Sequence, residues 1–277
     1  MRHRWTQLRA GHGESERDGP RRRGVYLLPN LITTGALFFG FYAIVAAMNG
    51  HFVAAALAVF GALCLDVLDG RVARWTGSES EFGAQYDSLS DMVAFGVAPA
   101  LVAFSWALSQ LGQVGWVVTF IYMACAALRL ARFNTSGDNY SFTGLASPAA
   151  AAIVASTVWL WSQALDGPAT LFAALAMAAI VAGAGLLMVS GFTYYSPKHL
   201  HVKGRVPFVT LVAVVLVFGL LLIDPPSMLL LCFTGYALSG PAVHLWRRSR
   251  GLETLAETEE PDESDRAQAT EETRNVD

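Results

Sequence analysis

Charge is what this sequence has least of. Of 277 residues, 15% are Asp, Glu, Lys or Arg and 54% are hydrophobic, against about 25% charged in an ordinary soluble domain. The shortage is uneven. No Lys or Arg occurs from 24 to 70, 75 to 128, 133 to 197 or 206 to 246, which excludes an average globular domain. Cysteine is scarce as well. Cys64, Cys125 and Cys232 all lie in apolar runs without Cys-x-x-Cys spacing, so a zinc site and a disulfide framework are both excluded, and the three read as packing residues. No Gly-x4-Gly-Lys-Ser loop, His-Glu-x-x-His or Gly-x-Ser-x-Gly run is present. His201-x-Lys203 opens a His-x-Lys-x4-Asp pattern, but position 208 is Phe and no second copy exists.

What is abundant is apolar sequence in runs of about twenty residues, each able to cross ~30 Å of hydrocarbon. The pattern predicts an all-α integral membrane protein with about eight transmembrane helices, at roughly 27–48, 52–73, 86–108, 113–133, 145–165, 169–190, 206–223 and 227–246. Links such as Asn49–His51, Ser109–Gly112, Asp166–Pro168 and Asp224–Pro226 are short and rich in turn residues, which makes neighbouring helices antiparallel. The 19 Lys and Arg fall in the N-terminal tail, at Arg71–Arg74, at Arg129–Arg132, at Lys198–Arg205 and after Trp246. With eight spans, all five regions lie on one side. The positive-inside rule then places both termini on the cytoplasmic side of the cell membrane.

The chain divides into three regions. Residues 1–25 form a basic cytoplasmic tail, too long and polar ahead of the first apolar run to resemble a cleaved signal peptide. Its arginines suit anionic lipid beside a membrane span better than nucleic acid, so no nucleic-acid partner is expected. Residues 26–247 form the transmembrane domain. Residues 248–277 are acidic and poor in apolar side chains, the composition of a disordered cytoplasmic tail.

Against this background, Leu65–Ala94 stands apart. Asp66 and Asp69 are three residues apart, and Asp87 and Asp91 are four apart, so on helices each pair shares one face. Two helices joined by the polar link Trp75–Phe82 turn all four carboxylates towards one point. Ionised carboxylates gathered this way need a cation, and all-oxygen ligation suits Mg²⁺, Mn²⁺ or Ca²⁺ rather than zinc. Gly70, Ala73 and Gly83 lack bulk and let a ligand lie against the backbone. Arg74 offers a planar fork for phosphate oxygens. Together these suit a nucleotide diphosphate. Carboxylates in membrane helices also mark ion paths, as in cation transporters. These lie near one interface, however, and no inverted repeat is evident.

The full pattern is Asp66-x2-Asp69-Gly70-x2-Ala73-Arg74-x8-Gly83-x3-Asp87-x3-Asp91. It resembles, with every fixed position filled, the signature of the CDP-alcohol phosphatidyltransferases. The resemblance implies that family's fold, CDP-diacylglycerol as donor, CMP as leaving group and a homodimer. It also implies two divalent ions, Mg²⁺ or Mn²⁺, held by Asp66, Asp69, Asp87 and Asp91, with Asp91 as general base. Gly70, Ala73, Arg74 and Gly83 then bind the donor.

Further segments extend the likeness to the family's serine-using membrane branch. These are Leu27-Leu-Pro-Asn30-Leu-Ile-Thr33, Arg129-Leu-Ala-Arg132-Phe-Asn134, Gly144-Leu-Ala-Ser147-Pro148 and Tyr194-Tyr-Ser-Pro-Lys198. Ala146 departs from it, standing where that branch carries proline. Arg129 and Arg132 are three apart on one helix. They act either as anchors that snorkel to the interface or as the site for the carboxylate of L-serine. Glycerol 3-phosphate would suit two arginines equally well, an inositol phosphate is a further alternative, and choline would call for an aromatic cage.

Overall fold

Short polar breaks cut the apolar sequence into helices, and the computed structural model follows them closely. It describes residues 27–78, 80–135, 144–165, 167–192, 194, 216, 219 and 222–249. The helices are α1 (Leu27–Met48), α2 (Phe52–Thr76), α3 (Glu81–Asp91), α4 (Ala98–Trp106), α5 (Gln113–Thr135), α6 (Ser147–Ala164), α7 (Leu171–Val189) and α8 (Pro225–Ser249). A π-helical turn, Met92–Val97, joins α3 to α4, and a 3₁₀ turn, Leu108–Leu111, leads to α5. No strand occurs among the described residues. Among the described residues, six stretches are long and apolar enough to cross a membrane: α1, α2, the run Glu81–Trp106, α5, α7 and α8. The chain is a multi-pass membrane protein.

Helix α6 differs from these six in composition because its surroundings differ. Every residue from Ala149 to Val158 is buried, so the helix is a central post against other helices, and its surface need not match lipid. The hydroxyls of Ser156 and Thr157 donate to its own Ala152 and Ile153 carbonyls. The expected span at 206–223 falls almost wholly outside the described residues. So do the N-terminal tail, the C-terminal tail beyond Ser249, and Tyr195–Lys198.

Two boundaries differ from the sequence expectation. The polar link shrinks to Gly77–Ser80, because α2 runs on to Thr76 and α3 starts at Glu81. Gly77 takes the left-handed conformation (φ 59°) that ends α2, and Ser80 caps α3 by accepting from the Gly83 N–H at 3.0 Å. The third span is an α–π–α run instead of one α-helix.

Small residues let these helices approach closely. A Cβ at Gly40 of α1 would lie 2.9 Å from the Ala94 Cα, and one at Gly185 of α7 would lie 3.2 Å from the Tyr122 Cα. Large apolar side chains such as Phe38, Phe41, Trp116, Phe120 and Phe172 are exposed on the outside, as lipid-facing surfaces require. Of the three cysteines only Cys125 is buried, while Cys64 and Cys232 are exposed. The packing role therefore holds for one of them, since a period-3.6 apolar run places residues on lipid-facing and core faces alike.

Candidate active site

The acidic helices are held together by α1. Asp69 is buried, and its Oδ2 accepts a 2.8 Å hydrogen bond from Thr33 Oγ1. Ser90 Oγ, one residue before Asp91, donates to the Thr33 carbonyl at 3.1 Å, and Tyr86 Oη pairs with Thr34 Oγ1 at 2.9 Å. One turn of α1 thus fixes α2 through a carboxylate and α3 through two hydroxyls. No spacing in the sequence marks either threonine, and only the resemblance of the opening segment at Thr33 points near them.

That arrangement brings one carboxylate oxygen each from Asp66, Asp69 and Asp87 within 4.8 Å of one another. Asp91 lies outside this trio but at hydrogen-bonding distance from Asp66. Asp66, Asp87 and Asp91 are half-buried. Of the four acids expected to converge, Asp66, Asp69 and Asp87 form a set of hard oxygen donors that could hold a metal ion, and Asp91 lies beside Asp66.

Small residues around the cluster play different parts. A Cβ at Gly70 would meet nothing within 4 Å, so the surface beside Asp69 is open. At Gly83 a Cβ would lie 3.1 Å from Ser80 Oγ and 3.5 Å from Asn30 Oδ1, so that glycine also serves the cap of α3. Ala73 is half-buried, and its carbonyl accepts from the Ser78 N–H as α2 ends. Arg74 is exposed and turns back along α2, with Nε donating to the Gly70 carbonyl at 3.0 Å.

The two arginines of α5 part company. Arg132 is exposed. Arg129 is half-buried, its Nη1 donates to Ser147 Oγ at 2.9 Å, and its buried Nε makes no hydrogen bond. The reason lies in α6. Gly144 (φ 86°) and Leu145 donate from their N–H groups to the carbonyls of Phe192 and Leu187, which seats the turn on the end of α7. A Cβ at Gly144 would come 2.3 Å from the Met188 carbonyl oxygen. Ser147, fully buried at the start of α6, therefore meets Arg129 alone. Asp91 and Tyr236 of α8 both lie within electrostatic reach of Arg129. Tyr236 packs on Tyr194 (ring centroids 5.4 Å apart), whose hydroxyl donates to the Ala237 carbonyl at 3.0 Å. No sequence pattern points to Tyr236.

Four carboxylates and a half-buried guanidinium thus share one end of a membrane bundle, a place for a divalent cation beside a place for an anion. A model of the CDP-alcohol phosphatidyltransferase family matches residues 26–189, and the chain belongs to that family. Among individual relatives, it is 45% identical over 139 residues to the CDP-diacylglycerol–serine O-phosphatidyltransferase of Helicobacter pylori strain 26695, covering 49% of this chain and 59% of that protein. It is 39% identical over 180 residues to the enzyme of the same name from Mycobacterium bovis, covering 61% and 62%. It is 35% identical over 170 residues to the archaetidylserine synthase of Methanothermobacter thermautotrophicus, covering 60% and 69%. The chain thus spans about three fifths of the length of the two bacterial relatives.

Carboxylates crowded in this way repel one another when no cation is bound. In detergent with chelator, Asp87→Asn should therefore unfold at a higher temperature than the parent, by ~2–4 °C if relief of repulsion is worth about 1 kcal/mol. Adding Mn²⁺ should raise the parent's transition and leave the variant's nearly unchanged. Thermal unfolding with and without Mn²⁺ checks this, and a parent indifferent to Mn²⁺ contradicts it.

Proposed function

We propose that this protein transfers the phosphatidyl group of CDP-diacylglycerol to the hydroxyl of L-serine, releasing phosphatidylserine and CMP. The observation that carries the reading is the convergence of Asp66, Asp69 and Asp87 within 4.8 Å, with Asp91 against them and Arg129 alongside. The names of the relatives, two of them for this reaction, support serine as acceptor.

A lipid donor keeps its tails in the bilayer and its diphosphate at the interface, the level at which the cluster sits. The donor set fits two ions of Mg²⁺ or Mn²⁺, since four carboxylates balance two divalent charges and offer only oxygen ligands. Asp66, Asp69, Asp87 and Asp91 would hold them, and bound metal would supply charge neutralisation for the diphosphate and the leaving CMP. The open face at Gly70, with Ala73 and Gly83, leaves room for the nucleotide. Arg74 takes a donor phosphate oxygen through the planar edge of its guanidinium. Asp91, beside Asp66 and within electrostatic reach of Arg129, accepts the proton of the serine hydroxyl. Arg129 binds the serine carboxylate in a charge-assisted pair, which gives its buried Nε the hydrogen-bond partner it otherwise lacks. Arg132, exposed one turn further on, acts as an interfacial anchor or reaches the acceptor from outside.

Residues 26–247 form the catalytic unit, between a basic tail at 1–25 and an acidic tail at 248–277. It crosses the plasma membrane eight times and works as a homodimer, with the site and both termini facing the cytoplasm. The path of the chain supports the even count. Phe192, just beyond α7, packs on His244 near the end of α8 (ring centroids 5.2 Å), so α7 and α8 finish side by side. Parallel α7 and α8 need one more crossing between them, and the apolar run at 206–223 is long enough to supply it.

Purified protein should release CMP from CDP-diacylglycerol only when both serine and Mg²⁺ or Mn²⁺ are present. Chelator should abolish the release reversibly, and full activity in chelator would refute the metal role. Arg129→Ala should raise the KM for serine about tenfold to a hundredfold, as expected for a lost charge-assisted bond of ~1.5–3 kcal/mol. Arg74→Ala should act on the KM for CDP-diacylglycerol instead. An unchanged serine KM in Arg129→Ala would return that residue to an anchoring role.

Reporter fusions test the topology. One placed near Gly13 and one after Asp277 should both read cytoplasmic, and one near Asn49 should read external. Termini on opposite sides would contradict eight spans.

A further inference from the structure

The interruption of the third span begins directly after Asp91. Met92–Val97 is wound as a π-helix, and the Ala98 N–H reaches back five residues to the Val93 carbonyl. Pro99, at the start of α4, accounts for the break. In α-register the Phe95 carbonyl would accept from the N–H of residue 99, and proline has none. The hydroxyl of Tyr122 on α5 fills the gap, donating to the Phe95 carbonyl at 3.1 Å. Tyr122 is completely buried, so this hydroxyl has been taken out of both water and lipid to reach that oxygen. In a bilayer a backbone carbonyl finds no water to replace a lost donor.

Neighbouring helices grip the same turn. A Cβ at Gly40 of α1 would lie 2.9 Å from the Ala94 Cα, and one at Gly96 would lie 3.2 Å from the Ala126 Cβ of α5. The π turn is therefore packed on two sides and satisfied by a dedicated hydroxyl. Such turns tend to occur at functional sites.

The geometric consequence falls on the aspartates. A π turn contains one residue more than an α turn, so the helix on its N-terminal side is rotated by one residue's step, about 100°, relative to the helix on its C-terminal side. The C-terminal side is anchored: Ala98, Ala100, Val102 and Ala103 of α4 are all fully buried. The N-terminal side carries Asp87 and Asp91. Were Glu81–Trp106 an unbroken α-helix with α4 packed as it is, these two carboxylates would point about 100° away from Asp66 and Asp69.

We infer that Pro99 and Tyr122 are positioning residues for the carboxylate cluster: the proline imposes the π turn, the tyrosine satisfies it, and together they set the rotation that aims Asp87 and Asp91 at Asp66 and Asp69. Neither touches a reactant. The consequence for cation binding rests on the reading of the cluster as a divalent-metal site, whereas the geometric claim does not.

Two measurements on the full-length protein in detergent keep those parts separate. In a chain whose three native cysteines are replaced by alanine, Asp66→Cys and Asp87→Cys are introduced together and joined by a short bis-methanethiosulfonate linker. The linker should bridge them efficiently in the parent, and Pro99→Ala, which restores an N–H at 99 and with it the α-register, should cut the yield at least fivefold. Thermal unfolding should show Pro99→Ala still folded. Equal bridging in folded Pro99→Ala overturns the inference, whatever the metal does. Titration with Mn²⁺, read by electron paramagnetic resonance on chains with all four aspartates, should show affinity at least tenfold weaker in Pro99→Ala and severalfold weaker in Tyr122→Phe. Reduced bridging without any Mn²⁺ binding in the parent would uphold the positioning role and overturn the cation site instead.

Discussion

Repulsion among four carboxylates is the constraint that the rest of the molecule answers to. Asp66, Asp69 and Asp87 present oxygens within 4.8 Å, with Asp91 next to Asp66. Close to a bilayer little screens them, and left alone the helices carrying them would gain by turning apart. Several features oppose that. Thr33 fastens Asp69 to α1, Ser90 and Tyr86 tie α3 to the same turn, and Gly40 locks α1 against the π turn. The scaffold thus supplies in advance the work of bringing the acids together, and a divalent cation held there would recover it as binding energy. Such pre-organisation also explains why small residues recur along these helix contacts: close backbone approach makes a rigid frame.

The acidic cluster was legible because it is local. Spacings of three and four residues on two consecutive helices determine which carboxylates share a face, and a short link limits how those helices meet. One helix end was legible for the same reason: the link at Asn49–His51 stops α1 as expected, whereas α2 runs past the expected end at 73 to Thr76, where Gly77 ends it.

What stayed hidden depends on residues distant in sequence. Thr33 and Asp69 are 36 positions apart, and no periodicity links a hydroxyl on one helix to a carboxylate on another. Arg129 and Arg132 read alike from spacing, but only Arg129 meets Ser147, because the turn at Gly144 is seated on the end of α7. The π turn shows how a single residue can mislead. Pro99 looks like an ordinary residue in an apolar run, yet a missing N–H changes the rotation of everything before it. Tyr236 had no signal at all. It lies on α8, beyond the family-matched stretch ending at 189, and reaches the site through Tyr194, whose ring occupies the space where a Cβ at Gly240 would stand. The surroundings of Arg129 are therefore built partly by sequence beyond the family-matched stretch.

If the carboxylates exist to hold divalent cations, the ions themselves are the thing to see. The most direct measurement is an anomalous difference map from crystals of the protein soaked in Mn²⁺, recorded at the manganese absorption edge. A strong peak is expected bounded by Asp66, Asp69 and Asp87, at about 2.0–2.3 Å from an oxygen of each, with a second beside it towards Asp91. A map with no peak among these residues, from crystals in which the four side chains are ordered, would contradict the cation-holding role.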